Sequence, residues 1–214
     1  MTTRTVIPAI LLAFTAGALA QDARQLNLRG DRFKPLTWEA LSPDQKTMVN
    51  DLLAGTRTSL TGPFNVLLRS PIMGNHAQAM GEYLRFKTTV PARLNEMAII
   101  MTARWWSSPY EWFAHKTLAL NAGLSQAVVD DIQAGRRPAS MKPDEATVYA
   151  FCTELRDRKR VSDPTFKAAR DLLGERGVVD LIGVMGYYDL VSMALNVDRY
   201  PMPDGAPLPF AEPR

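Results

Sequence analysis

Apolar residues recur at intervals of three and four along most of this chain, and polar or proline-containing turns separate the apolar stretches. This spacing predicts amphipathic helices. Start signals accompany several of them, and Ser42 before Pro43 combines a helix N-cap with a proline at the first helical position. No segment of useful length alternates apolar and polar residues with a period of two, so no strand is predicted. The pattern predicts a single all-α domain without a sheet.

Turn and cap residues set the limits of the predicted helices. Pro71 is expected to break a short helix, and Gly174 is expected to end one helix before another begins. The predicted helices run from Pro43 to Gly55, from Asn65 to the break at Pro71, from Met73 to Phe86, from Pro91 to Trp105, from Pro109 to Asn121, from Ser125 to Gly135, from Asp144 to Arg158, from Asp163 to Gly174 and from Val178 to Asn196.

The two ends of the chain differ from the helical part. Residues 1–20 contain Arg4, an apolar run and the sequence Ala18-Leu19-Ala20, which is the order typical of a secretory signal peptide. Residues 21–40 predict an extended N-terminal arm, residues 41–197 the helical domain, and the proline-rich residues 198–214 a non-helical tail. The protein is therefore predicted to be exported, periplasmic or secreted, with the signal segment as its only membrane contact.

Composition narrows the possible chemistry. The formal net charge is +3, and the one dense basic cluster, at 156–160, also contains Asp157, so no nucleic-acid partner is predicted. The chain has two histidines and a single cysteine, Cys152, which predicts neither a zinc site nor an internal disulfide. Phosphate-binding loops and nucleophile elbows are absent from the sequence. No metal or other cofactor is predicted, and Cys152 is expected to be a buried structural thiol.

One group of residues is suited to acid–base chemistry. Glu111 and His115 are four positions apart in a predicted helix, which places both side chains on one face. Glu96 lies in the preceding helix, across a short turn, and is expected to approach the same face. A carboxylate beside an imidazole can orient it and raise its pKa, so that the pair moves protons near neutral pH. The same spacing also fits an exposed Glu–His pair of little energetic weight, and both interpretations stay open at this point.

These residues also carry a family resemblance. The frame Glu96-x11-Ser108-x2-Glu111-x3-His115 resembles the Glu-x11-Cys-x2-Cys-x3-His motif of alkylhydroperoxidase D-like proteins. Further segments resemble the carboxymuconolactone decarboxylase-like branch of that family: Leu94-Asn95-Glu96-Met97-Ala98-Ile99-Ile100, Gly62-Pro63-Phe64-Asn65, Gly81-Glu82-Tyr83-Leu84-Arg85-Phe86 and Gly186-Tyr187-Tyr188. The resemblance spans roughly Leu41 to Asn196 and implies an alkylhydroperoxidase D-like helical bundle.

The departures from the motif change the implied activity. Ser108 and Glu111 stand where the redox branch has its two cysteines, so thiol peroxidase activity is the less favoured prediction. The decarboxylase-like branch implies loss of carbon dioxide from a small carboxylated lactone or related acid, without a cofactor. His115 would then be the general acid/base, Glu111 its orienting partner and Glu96 a second acid/base or relay. The residues expected to bind the substrate are Arg85, Arg93, Arg104, Ser108, Tyr110 and Trp112.

Several alternatives remain open from the sequence. The arginines also fit surface ion pairs, and the aromatic residues also fit a hydrophobic core. Isomerisation of the same acids is predicted beside decarboxylation. The same pocket would also suit another acid–base reaction, such as hydrolysis or dehydration, and the fold would also suit a non-catalytic ligand-binding or assembly protein. Convergence of Glu96, Glu111 and His115 in a pocket favours catalysis. The resemblance further implies a homo-oligomer, a trimer or a hexamer, acting on a small molecule.

Overall fold

The structure of the protein is a computed structural model, and it describes residues 25–211. The predicted signal peptide at 1–20 lies outside the described residues. The described part is all-helical and contains no strand, as the hydrophobic pattern predicts. Its helices are α1 (Pro43–Ala54), α2 (Phe64–Leu67), α3 (Pro71–Phe86), α4 (Ala92–Trp105), α5 (Pro109–Asn121), α6 (Gln126–Gln133), α7 (Pro143–Arg158) and α8 (Asp163–Asp198).

Helix α4 lies at the centre of the fold. It contacts α5, α6, α7 and α8, and nine of its fourteen residues are buried. Met97, Ile99 and Ile100 are fully buried there, and each such side chain contributes about 2 kcal/mol through removal of apolar surface from water. The turn at 106–108 is too short to let α5 move away from α4, so the two helices pack against each other. Side chains from both helices can therefore meet at one site.

One predicted helix limit was wrong. Helix α3 begins at Pro71, because a proline fits the first helical turn, where a backbone N–H has no helical partner. The predicted limit at Gly174 is confirmed, because this residue has a non-helical backbone, with φ 69° and ψ 171°, and forms the kink between the two helical parts of the 36-residue α8. Glycine adopts a positive φ without steric cost, so the chain bends at this point and then resumes the helix. The predicted end of a helix at Gly174 is therefore present as this kink.

Helix α8 is also the one helix within residues 25–211 that is long and apolar enough to cross a membrane. From the sequence, no segment after residue 20 was predicted to be long and apolar enough to cross a membrane, and by length and composition α8 contradicts that prediction. The most apolar window of α8 has a mean hydropathy of 1.5, and 61% of that window is buried inside the fold. Burial of this kind is typical of a core helix, which passes the same test of length and composition.

Residues 25–42 before α1 and residues 199–211 after α8 are non-helical and pack onto the helices. Asp198, the last residue of α8, accepts hydrogen bonds from the backbone N–H groups of Asp31 (3.2 Å) and Phe33 (2.8 Å) in the N-terminal arm. In the C-terminal tail, Phe210 packs edge-on against the buried Trp112, with ring centroids 5.8 Å apart. Both ends are thus attached to the domain by specific contacts.

Candidate functional site

His115 lies between two carboxylates. Its Nδ1 is hydrogen-bonded to Oε2 of Glu96 at 2.7 Å, and its Nε2 lies 3.1 Å from Oε1 of Glu111. His115 and Glu111 are each only 4% exposed. The contacts predicted from the helical spacing and from the short turn are therefore both present. A buried Glu–His–Glu arrangement excludes the interpretation of Glu111 and His115 as an exposed surface pair.

The helices explain why these three residues meet. Glu96 lies in the middle of α4, Glu111 lies in the first turn of α5, and His115 follows one helical turn later. A carboxylate in the first turn of a helix is stabilised by the positive end of the helix dipole. The i, i+4 spacing on α5 then brings Glu111 to one imidazole nitrogen, while the packing of α4 against α5 brings Glu96 to the other.

The two carboxylates hold His115 in its charged form. Burial alone would lower the pKa of the imidazole, but the charge of Glu111, the contact with Glu111 and the contact with Glu96 outweigh it and raise the pKa to about 9. His115 is thus an imidazolium at neutral pH, with an N–H on each ring nitrogen that can donate a hydrogen bond to one of the two carboxylates. The three residues together carry one excess negative charge when both glutamates are ionised.

His115 and Glu111 line a cavity of about 320 Å³. The segment that joins α1 to α2 contributes residues 56–59 and 61–63 to the lining, and helix α8 contributes Tyr187, Tyr188 and Val191. The ring of Tyr188 packs edge-on against the imidazole, with centroids 5.1 Å apart and an interplanar angle of 81°. Glu96 does not line the cavity. Glu96 therefore contacts Nδ1 of His115 from outside the cavity.

Arg93, which was predicted to bind the substrate, lies elsewhere. It does not line the cavity and instead forms a salt bridge to Asp144, with an N–O distance of 2.6 Å, and a second one to the buried Glu145. Burial would lower the pKa of Arg93, but both carboxylates raise it above the ordinary value for arginine. Arg93 therefore joins α4 to α7, and the prediction that it contacts the substrate is not supported.

Of the other two arginines, only Arg85 is at the cavity. Arg85 lines it and lies over the ring of Phe86, 5.1 Å from the ring centroid. Arg104 does not line it, because its Nε donates a hydrogen bond to the backbone carbonyl of Gln133 at 2.8 Å. Its guanidinium also lies over the ring of Phe210. Arg104 therefore fixes α6 and the C-terminal tail, and its predicted role in substrate binding is not supported.

The remaining predicted substrate-binding residues divide in the same way. Tyr110 lines the cavity and contacts Tyr200, and burial, followed by the neighbouring Tyr200, raises its pKa to about 12. Ser108 is fully buried and lines a separate cavity of about 510 Å³ beside the C-terminal tail. Trp112 is 1% exposed and packs on Phe210 in the core. Only Tyr110 of these three is positioned to contact a ligand beside His115.

Three residues of the cavity wall were not predicted from the sequence to bind a ligand: Arg57, Tyr187 and Tyr188. Arg57 follows α1 in an irregular segment, and no sequence pattern marks it as a ligand-binding residue. Tyr187 and Tyr188 were noted only as part of the family resemblance, although a tyrosine pair in an apolar helix is a usable signal for a pocket wall. The Tyr187 hydroxyl occupies the space above Gly81, where a Cβ atom would overlap it. The hydroxyl of Tyr188 is buried without a hydrogen-bond partner among the described residues.

The other reactive side chains lie outside this site. Cys152 is buried, and burial raises the pKa of its thiol to about 12, although the charge of Arg156 opposes the shift. His76, the second histidine, is exposed. Within residues 25–211, no group of three or more histidine, cysteine, aspartate or glutamate side chains has a geometry that could hold a metal ion. The Glu96–His115–Glu111 cluster is an arrangement that can move protons.

No protein-family model matches this chain, and no curated protein matches it either. The likeness to the alkylhydroperoxidase D-like family therefore rests on the spacing of Glu96, Ser108, Glu111 and His115 and on the neighbouring segments.

Proposed function

We propose that this protein belongs to the carboxymuconolactone decarboxylase-like branch of the alkylhydroperoxidase D-like family. We propose that it performs acid–base chemistry, decarboxylation or isomerisation, on a small carboxylated lactone or related acid without a cofactor. The observation that carries the proposal is the placement of His115 between Glu96 and Glu111 at the wall of a cavity of about 320 Å³. A cavity of this size suits a small molecule. We further propose that the protein is exported and that it assembles into a homotrimer or homohexamer.

The geometry favours different roles for the two glutamates from those implied by the resemblance. Glu96 contacts Nδ1 and lies away from the cavity, so it is the residue that orients the imidazole. Glu111 contacts Nε2 and lines the cavity, so a proton can pass between His115 and the substrate through its carboxylate. The Glu111–His115 pair is then the acid/base group, and Glu96 keeps the imidazole charged and aligned.

The proposed decarboxylation needs one proton from the protein. The bond between the substrate carbon and its carboxylate breaks, carbon dioxide leaves, and the electron pair remains on the carbon, where an adjacent carbonyl can hold it as an enolate. The Glu111–His115 pair then donates a proton to that carbon and regains one from water. In an isomerisation, the same pair removes a proton from one carbon and returns it to another. The buried Tyr187 and Tyr188 form an aromatic part of the cavity wall beside this pair.

The position of the single cysteine disfavours a thiol peroxidase. A peroxidatic cysteine acts as a thiolate that peroxide can reach. Cys152 is buried, its pKa is raised to about 12, and it does not line the cavity of His115. A ligand-binding protein on the same fold is the alternative to an enzyme, and the experiment below separates the two.

The test is a turnover screen with the purified protein against carboxylated lactones, simple lactones and hydroperoxides, with carbon dioxide release and peroxide loss both recorded. His115→Ala and Glu111→Gln are each expected to lower kcat at least 100-fold, because general acid–base groups contribute roughly 10²–10⁴-fold. His76→Ala and Glu175→Gln are matched controls, since both residues are exposed and lie outside the cavity. Both controls are expected to keep wild-type turnover.

The outcomes separate the proposals. Turnover that disappears in His115→Ala and in Glu111→Gln but not in the controls supports acid–base catalysis and identifies the substrate class. Peroxide loss that survives in those variants and disappears in Cys152→Ser would contradict the proposal. Binding of a carboxylated lactone without turnover, in a protein that retains its fold, would favour the ligand-binding alternative.

A further inference from the structure

Two arginines meet at the cavity of His115. Arg57 and Arg85 both line it, and both are close enough to Tyr187 for their charges to lower the pKa of its hydroxyl, against the burial that raises it. Unlike Arg93, neither arginine forms a salt bridge within residues 25–211. The Nε of Arg57 is buried and has no hydrogen-bond partner among the described residues. A buried guanidinium N–H without a partner is energetically costly unless a ligand accepts its hydrogen bond.

Each guanidinium group stacks on an aromatic ring, and this contact leaves its N–H groups free to donate hydrogen bonds. Arg57 lies over the ring of the buried Phe64, and Arg85 lies over the ring of Phe86, each 5.1 Å from the ring centroid. Attraction between a cation and an aromatic ring does not consume the N–H groups of the guanidinium. Those N–H groups match a carboxylate, which accepts two parallel hydrogen bonds from one arginine.

Glu82 connects the segments that carry the two arginines. It lies three residues before Arg85 on α3, and its carboxylate accepts hydrogen bonds from the backbone N–H of Thr56 (3.1 Å) and from its hydroxyl (3.3 Å). The carboxylate of Glu82 packs directly on Gly55, where a Cβ atom would overlap it. The residue before Arg57 is thereby attached to the helix of Arg85. This contact keeps both guanidinium groups at the same cavity.

The charges and the lining together indicate the ligand. The two arginines more than offset the single excess negative charge of Glu96, Glu111 and His115, so the site as a whole attracts an anion. The rest of the lining combines the rings of Phe64, Tyr187 and Tyr188 with hydroxyl-bearing residues between α1 and α2, and an inorganic anion would not fill a cavity of about 320 Å³. We infer that Arg57 and Arg85 form a binding subsite for the carboxylate of a small organic acid whose apolar body lies against these rings.

This inference rests on the proposed function for the identity of the site, and it adds how the substrate is recognised. The arginine-bound carboxylate anchors the molecule, and the acid–base step takes place elsewhere in the same molecule, beside Glu111 and His115. In an isomerisation one carboxylate is sufficient, whereas in a decarboxylation the carboxylate that leaves as carbon dioxide is a second one. Arg57, which no sequence pattern marks, then becomes a residue that decides specificity.

The test compares binding of benzoate and of benzamide, its uncharged analogue of the same shape, to the purified protein by isothermal titration calorimetry at neutral pH. Wild-type protein is expected to bind benzoate at least tenfold more tightly than benzamide. Arg57→Gln and Arg85→Gln are each expected to weaken benzoate binding roughly 10- to 100-fold, because a hydrogen bond to a charged group is lost. Arg57→Lys keeps the charge but loses the paired donors, and an intermediate affinity is expected. Arg160→Gln removes an exposed arginine outside the cavity and is expected to bind benzoate as the wild type does.

Three results would overturn the inference: equal affinity for benzoate and benzamide, unchanged benzoate binding in the folded Arg57→Gln protein, or no benzoate binding by the wild type at about 10 mM. Tighter binding of inorganic phosphate than of benzoate would overturn the assignment to an organic acid. Circular dichroism checks that each variant is folded. The assay measures binding alone, so a protein that binds benzoate through Arg57 but turns over no substrate contradicts the proposed catalysis and leaves the subsite standing.

Discussion

Glu96 holds Nδ1 of His115 at 2.7 Å from a different helix, nineteen positions earlier in the chain. Because Glu96 does not line the cavity, this hydrogen bond fixes the imidazole from the protein side. The ring then has only one nitrogen, Nε2, directed to a residue of the cavity, and that residue is Glu111. The two glutamates are chemically alike, and their different positions relative to the cavity give them different roles.

The first prediction concerns the pKa of His115. Glu111→Gln and Glu96→Gln each remove a carboxylate that raises it, so both are expected to move it from about 9 toward the ordinary value of 6.5. The larger change is expected for Glu111→Gln, since the charge of Glu111 is the largest of the raising effects. Titration of the imidazole by NMR measures both shifts. Glu175→Gln is the control, and a pKa near 6.5 in the wild-type protein would contradict the interpretation.

The second prediction concerns stability against pH. The pKa of His115 is about 9 in the folded protein and 6.5 without the carboxylates, so the stabilisation is complete below pH 6.5 and is lost as the pH rises through 9. The free energy of unfolding is expected to fall over this interval by at most about 3 kcal/mol, since each pKa unit corresponds to about 1.4 kcal/mol. Urea unfolding at several pH values measures the change. His115→Ala should remove this part of the pH dependence and His76→Ala should keep it; identical profiles for the two variants would argue against the prediction.

A third prediction concerns the space occupied by Tyr187. Gly81→Ala places a methyl group where the Tyr187 hydroxyl lies, so it is expected to destabilise the protein by about 1–3 kcal/mol through overpacking. Gly186→Ala is the matched control, because this helical glycine has no atom within 4 Å of an added Cβ. That change is expected to stabilise the protein by roughly 0.5–1 kcal/mol. Urea denaturation compares the two, and equal effects of both substitutions would contradict the close contact.

The fourth prediction separates Arg93 from the arginines of the cavity. Arg93→Gln leaves the carboxylate of Glu145, which is 2% exposed, without its cationic partner. Loss of one partner from a buried ion pair is expected to cost about 3–5 kcal/mol of stability. Benzoate affinity is expected to stay unchanged, since Arg93 does not line the cavity. Denaturation measures the stability and calorimetry measures the benzoate affinity on the same preparation. Weaker benzoate binding in a folded Arg93→Gln protein would show that Arg93 contributes to ligand binding and would contradict the prediction.

Local signals in the sequence determine much of this structure. Ser42 and Ser125 cap their helices as the sequence indicates, each accepting a hydrogen bond from a backbone N–H three residues later. The i, i+4 spacing of Glu111 and His115 is also a local property, and their contact follows from it. The short turn between α4 and α5 was enough to predict that Glu96 would approach. These features depend on residues that are close in sequence.

Features that depend on distant residues could not be predicted. Arg85, Arg93 and Arg104 have equivalent sequence environments, and only the packing of α6 and α7 shows that the last two have partners of their own. The edge-on contact of Tyr188 with His115 joins residues in different helices. Arg57 lies in a segment without helical periodicity, so its position at the cavity follows only from the contact between Thr56 and Glu82.

The carboxylate of Asp198 has a consequence for how the protein unfolds. It accepts hydrogen bonds from the backbone of Asp31 and Phe33, and the amide of Asn65 lies 3.4 Å from it. One buried side chain at the end of the last helix thereby holds both the segment at 31–33 and the short helix α2. The two ends of the domain cannot fray independently, because release of either one leaves this charge without its donors. Opening of the segment at 31–33 and of the end of α8 is therefore a single cooperative event, and the protection of amide hydrogens against exchange should be lost at both places together.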